Sequence, residues 1–250
     1  MSLHRVEYPG PDAPPLLIAH GLYGSARNWG AIAKRLSKER PVIVVDMRNH
    51  GSSRWFGSHT YADMANDLAQ EIAPVSDVLG HSMGGKAAMV LALQNPGLVR
   101  RLIVADIAPV PYTHSQLPMI KAMEALDLDA VHDRKSADLA LSDFVSDAAV
   151  RAFLLQSLDI KAKRWTLNLK TLRRDMDRIM GFPDVQGTFP GPAFFLSGGE
   201  SDYVARDHRS GIKARFPNAR FAKIPGAGHW LHAEKPQAFI ATVQAFLSAN

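Results

Sequence analysis

A chain of 250 residues, 46% hydrophobic and 21% charged, has the composition of a globular protein with a sizeable apolar core, which excludes a disordered polar tract. It has no cysteine, so disulfides, thiolate metal sites and cysteine nucleophiles are excluded together. The net charge of +5 is modest and accompanies no recognition motif, so no nucleic-acid partner is expected.

The opening residues MSLHRVEYPGPDAPP lack the apolar stretch of a secretory leader. No later run approaches the roughly 18 apolar residues of a membrane span, and a soluble cytoplasmic protein is expected. The first predicted strand, Leu16 to Ala19, leads into His20-Gly21-Leu22-Tyr23-Gly24. Small residues in that turn let a backbone amide approach a substrate carbonyl, and the N–H of Leu22 is the candidate donor. His20 reads as a hydrogen-bonded loop residue. Val42 to Val45 predicts a second strand, followed by Asp46-Met47-Arg48-Asn49-His50-Gly51, where His50 has a structural role. Thr60-Tyr61-Ala62-Asp63 resembles a capping box opening a helix.

Val75 to Leu79 predicts a third strand, and Gly80-His81-Ser82-Met83-Gly84 follows it with the pattern G-x-S-x-G. Gly84 to Gln94 then reads as a helix stopped by Asn95-Pro96-Gly97. A serine on a sharp turn from strand to helix is a nucleophile elbow: flanking glycines permit the turn, and the helix dipole favours developing negative charge. Ser82 is therefore the candidate nucleophile, and the backbone N–H of Met83 the second oxyanion donor. His81 and the Met83 side chain read as packing.

Leu102 to Ala105 predicts a fourth strand ending at Asp106. Over residues 108–190 helical periodicity continues without a convincing strand, which predicts a helical cap at 111–182 inserted into an α/β core at 1–110 and 183–250. Lys161, Lys163, Arg164, Lys170, Arg173 and Arg174 fall there without an intervening acid. They read as a solvated helix face or as a basic rim for an anionic substrate such as a phosphate-bearing acyl carrier.

Ala193 to Leu196 predicts a fifth strand, and its strands' consecutive apolar residues indicate a parallel sheet buried on both faces. A serine nucleophile needs a base, and His229 in Pro225-Gly226-Ala227-Gly228-His229, just before a closing helix at Pro236 to Ser248, has the context for it. The other histidines read as surface or packing residues. Two positions compete for the acid that orients the imidazole. The usual place is the loop after the fifth strand, commonly Asp-x-x-Val, but the four residues ending at Val204 begin with Ser201. Asp202 is out of register by one. Asp106, on a neighbouring strand tip, is favoured, with Ser201 adding a hydroxyl hydrogen bond to the His229 and Asp106 pair.

With these residues the chain resembles the α/β-hydrolase superfamily from Leu16 to Leu247. Within it the chain is most similar to the YbfF-type bacterial esterases and their mitochondrial abhydrolase-domain relatives. Carrying that match are His20-Gly21-Leu22-Tyr23-Gly24, Asp46-Met47-Arg48-Asn49-His50-Gly51-Ser52-Ser53, Gly80-His81-Ser82-Met83-Gly84-Gly85-Lys86, Asp106-Ile107-Ala108-Pro109 and Gly228-His229-Trp230. The resemblance implies an α/β-hydrolase fold and hydrolysis of short to medium acyl esters or thioesters through an acyl-enzyme, without metal or organic cofactor. It also implies a serine at the late acid position and the carboxylate after the earlier strand, while Asp202 departs from the uncharged residue often found there. The cap would roof the pocket, with Trp165 and Trp230 as candidate lining residues and ordinary packing their equal alternative. Carbon–carbon bond hydrolases and cofactor-free haloperoxidases retain the same serine, and a non-catalytic ligand-binding relative is the remaining alternative.

Overall fold

Strands made of consecutive apolar residues offer no face to water, so they must be covered on both sides. The computed structural model, which describes residues 2–72 and 75–249, meets that demand with a seven-stranded sheet between two helical layers. In chain order the elements are β1 (Arg5–Tyr8), β2 (Leu16–Ala19), α1 (Gly30–Leu36), β3 (Val42–Val45), α2 (Tyr61–Gln70), β4 (Ser76–His81), α3 (Met83–Gln94) and β5 (Val99–Ala105). After β5 come α4 (Leu117–Ala125), α5 (Arg134–Ser142), α6 (Ala148–Leu154), β6 (Leu158–Asp159), β7 (Arg164–Trp165), α7 (Leu169–Arg174) and α8 (Met176–Met180). The chain closes with β8 (Ala193–Gly198), α9 (His208–Arg215), β9 (Ala219–Ile224), α10 (Leu231–Glu234) and α11 (Pro236–Ser248).

The sheet order is β1-β3-β2-β4-β5-β8-β9, with β1 antiparallel to β3 and every other pair parallel. Side chains alternate across it with the period of two that a strand imposes. Leu17, Ala19, Val78, Leu102 and Val104 pack with α2, α3 and the helices that follow β5. Leu16, Ile18, Leu79, Ile103 and Leu196 pack with α1 and α11 on the other face. The predicted cap on α2 is present: Thr60 Oγ1 accepts the N–H of Asp63 at 3.2 Å.

Several features differ from the sequence expectation, the unpredicted strand β9 among them. The edge strand β1 alternates between exposed and half-buried residues and lacks the apolar run that marks the others. β5 begins at Val99 because its ladder with β4 runs on through Arg101, a polar residue at the end of the sheet. The segment between β5 and β8 is not wholly helical, since β6 and β7 form a short antiparallel hairpin. Two-residue strands leave no periodicity to read. Among the described residues no helix is long and apolar enough to cross a membrane.

Candidate active site

Ligands of parallel α/β sheets gather at the carboxyl ends of the strands, and here five such ends converge. Ser82 directly follows β4, at φ 51° and ψ −119°, a region a serine adopts only when its surroundings enforce it. The enforcement comes from backbone crowding. A Cβ at Gly80 would lie 2.3 Å from the carbonyl oxygen of Gly84, and one at Gly84 would lie 2.5 Å from those of Ala19 and His20. Only glycines allow the elbow to pack this closely against β2.

The Ser82 hydroxyl donates to Nε2 of His229 at 3.1 Å, and Nδ1–H of His229 donates to Oδ2 of Asp106 at 2.7 Å. Asp106 directly follows β5, also at positive φ (52°), and is fully buried. Its Oδ1 accepts the N–H of Gly198 at 3.0 Å, and its Oδ2 accepts the hydroxyl of Ser201 at 2.5 Å. Ser82, His229, Asp106 and Ser201 are thus brought into one hydrogen-bonded chain. Asp202 is not part of it: Ser201 turns inward at the end of β8, and its neighbour is exposed.

Leu22 and Met83 both border a cavity of about 320 Å³ that opens over Ser82. Neither backbone N–H donates to another group among the described residues, which leaves both available to an oxyanion. Two histidines scaffold this turn. His20 donates from Nδ1 to the carbonyl of Gly21 at 2.8 Å and accepts the N–H of Met47 on Nε2 at 2.9 Å. His50 donates from Nδ1 to the carbonyl of Arg48 and accepts the N–H of Tyr23 on Nε2 at 3.1 Å. Burial pushes His20 down to about 4, and burial with the nearby His20 pushes His50 down to about 3. Both rings are therefore neutral at ordinary pH and keep the acceptor nitrogen that the turn requires.

Of the two tryptophans expected at the pocket, Trp230 lines the cavity, where its ring lies 5.3 Å from that of Phe153. Trp165 does not. It is buried within the segment between β5 and β8, and its indole N–H is committed to the carbonyl of Met123 at 2.8 Å. The basic run between Lys161 and Arg174 is partly neutralised by partners distant in sequence or adjacent to it: Lys163 pairs with Asp129, Arg173 with Glu124 and Arg174 with Asp175. No group of three or more acidic or histidine side chains among the described residues is placed to hold a metal ion.

Several neighbours of the site carried no sequence signal. The Tyr203 ring stacks on His229 with centroids 4.1 Å apart. His81 donates from Nε2 to the backbone carbonyl of His229 at 2.9 Å, tying the elbow to the loop of the candidate base. Histidine 232, buried against Trp29 with ring centroids 4.3 Å apart, also borders the cavity. The Tyr203 and histidine contacts join residues that only the folded sheet brings together.

A mostly parallel sheet with a strained serine between β4 and α3 and a histidine after the last strand is the architecture of an α/β hydrolase. A model of the Alpha/beta hydrolase family matches residues 16–242, and the chain belongs to that family. It is 43% identical to the sn-1-specific diacylglycerol lipase ABHD11 of Mus musculus, over 94% of this chain and 81% of that protein. To the esterase YbfF of Escherichia coli (strain K12) it is 36% identical, over 94% of this chain and 93% of that one. A solved marine microorganism esterase, 37% identical, superposes with a TM-score of 0.93 over 98% of this chain and 99% of its own.

Proposed function

We propose that the chain is a serine ester hydrolase acting on short to medium acyl esters or thioesters, with Ser82 as nucleophile, His229 as general base and then acid, and Asp106 as the acid that orients it. The observation that carries this reading is the unbroken run of hydrogen bonds from Ser82 through His229 to Asp106, at 3.1 and 2.7 Å. The esterase and lipase names of relatives that share over a third of its residues support the ester as substrate class.

Ser82 Oγ attacks the acyl carbon while its proton passes to Nε2 of His229. The imidazolium so formed keeps its Nδ1–H on Asp106, which stabilises the positive charge, and the hydroxyl of Ser201 helps to hold that carboxylate. Negative charge on the former carbonyl oxygen falls to the N–H groups of Leu22 and Met83, each contributing on the order of 10² to 10³ in rate. Collapse breaks the bond to the leaving oxygen or sulfur, which takes its proton from His229. Water, deprotonated by the same imidazole, then attacks the acyl-enzyme and releases the acid and Ser82.

Residues 111–182 act as a cap over a core of residues 1–110 and 183–250, since Met119, Phe153 and Met180 meet Ser82 and His229 around the cavity. At about 320 Å³ the space lies near the lower end of the few hundred to 1,000 Å³ usual for ligand pockets, in keeping with short to medium acyl groups. A fluorophosphonate probe tests the reading. Wild-type protein should be labelled stoichiometrically and Ser82→Ala not at all; an unlabelled wild type, or equal labelling of the two, would remove it.

A further inference from the structure

On α3, one turn beyond the nucleophile, stands a lysine that the catalytic steps do not use. The backbone N–H of Lys86 donates to the carbonyl of Ser82 at 3.0 Å, so the two residues share a face of the helix about 6 Å apart along its axis. Its side chain is 1% exposed, and it borders the cavity among Tyr61, Ile107, Tyr112, Ile179 and Met180. Among the described residues no other lysine or arginine, and no aspartate or glutamate, lines that cavity.

Lys86 Nζ donates to the carbonyls of Met180 and Gly181 at 3.0 and 2.5 Å and lies 4.7 Å from the centre of the Tyr112 ring. None of the ion pairs among the described residues includes it. An ammonium has three donors, and two are used. The two carbonyls and the faces of Tyr112 and, at 5.8 Å, Tyr61 offset part of the cost of burying the ammonium, but none of them carries the full negative charge of a counter-ion. Burial accordingly pushes the amine down to about 7.

We propose that Lys86 is a carboxylate-binding group in the acyl pocket, so that the favoured acyl group is dicarboxylic, esterified at one end and ionised at the other. The proposal rests on the ester hydrolase reading. An incoming carboxylate supplies the missing counter-ion, takes the remaining N–H and restores the charged amine. Charge-assisted bonds of this kind are the stronger class, and a selectivity on the order of tenfold or more is expected.

The test compares nitrophenyl hemiesters of succinate, glutarate and adipate with uncharged nitrophenyl esters of matched length. In the wild type the best hemiester should exceed its matched ester in kcat/KM by about tenfold or more, and Lys86→Met should lower that ratio by a similar factor. Because the readout is a ratio, a general loss from loosening α8 cancels. Hemiesters inferior at every length, or a ratio unchanged in Lys86→Met, would overturn the proposal. If Lys86→Met does not fold, competitive inhibition of the wild type by free glutarate and pentanoate decides it: glutarate should bind markedly tighter, and equal or weaker inhibition contradicts the assignment. Failure of the hydrolase reading looks different, since uncharged esters would then go uncleaved and Ser82 unlabelled.

Discussion

At the ends of β4 and β5, Ser82 and Asp106 each sit one residue past a strand, each at positive φ, and each is fixed by backbone on neighbouring strands. The segment between β5 and β8 is held to the core differently, by side chains that reach across. Tyr23 donates its hydroxyl to the carbonyl of Gln116 at 2.9 Å, Ser157 to the carbonyl of Tyr23 at 2.8 Å, and Tyr61 to the carbonyl of Ile179 at 2.6 Å. Asn168 adds bonds to the backbone and side chain of Asn49. Strand tips place Ser82 and Asp106 by main-chain geometry, whereas the segment between β5 and β8 depends on scattered polar ties. Chemistry and substrate choice should therefore respond to substitution in different ways.

The largest effects belong to the strand tips. Ser82→Ala or His229→Ala should each lower kcat on a short nitrophenyl ester by about 10⁵- to 10⁶-fold with the fold intact by circular dichroism, and a loss under tenfold would break the division of roles. In the roof the effect should be on stability. Trp165→Ala removes a buried ring and leaves the Met123 carbonyl unpaired, at a cost of about 3–5 kcal/mol in denaturant unfolding. Trp230→Ala, at the cavity wall, should instead shift the chain-length preference with little change in unfolding midpoint; the reverse pattern would contradict the placement of the two rings.

The buried histidines sharpen the comparison through pH. Burial pushes His232 down to about 3, and His20 and His50 are similarly depressed. Between pH 6.5 and about 4 the unfolded chain takes up protons that the folded one refuses, so stability is full above 6.5 and falls as the solution is acidified. His232→Phe keeps the stacking surface against Trp29 and should flatten that fall by up to about 1.4 kcal/mol per pH unit in urea unfolding at pH 7, 5.5 and 4.5. Identical slopes for variant and wild type would sink this account. Smallest is Ser201→Ala: it removes one hydrogen bond to Asp106 and should lower kcat about tenfold, with KM little changed.

The same contrast governs what could be read before folding. The elbow at Gly80 to Gly84 and the runs Leu16 to Ala19, Val42 to Val45 and Ala193 to Leu196 are local patterns, so the sheet and the place of Ser82 within it were legible from neighbouring residues. Asp106 and His229 were readable as strand-tip residues, although their 2.7 Å contact spans 123 positions of chain. For Trp165 the sequence leaves lining and packing equal, because a tryptophan in an amphipathic stretch has the same appearance whether it faces the pocket or the interior of its own layer. The exposed edge strand β1, the two-residue hairpin β6–β7, the Tyr203 stack and the Lys86 contacts had no local signature, since each depends on what packs against it.

The central claim is that the acid stands at the tip of β5 and not in the loop after β8. Asp106→Asn and Asp202→Asn should be assayed side by side for kcat on one short nitrophenyl ester. The account predicts a loss approaching about 10⁴-fold for Asp106→Asn and less than about threefold for Asp202→Asn. Comparable losses in the two variants, or the larger loss in Asp202→Asn, would contradict it.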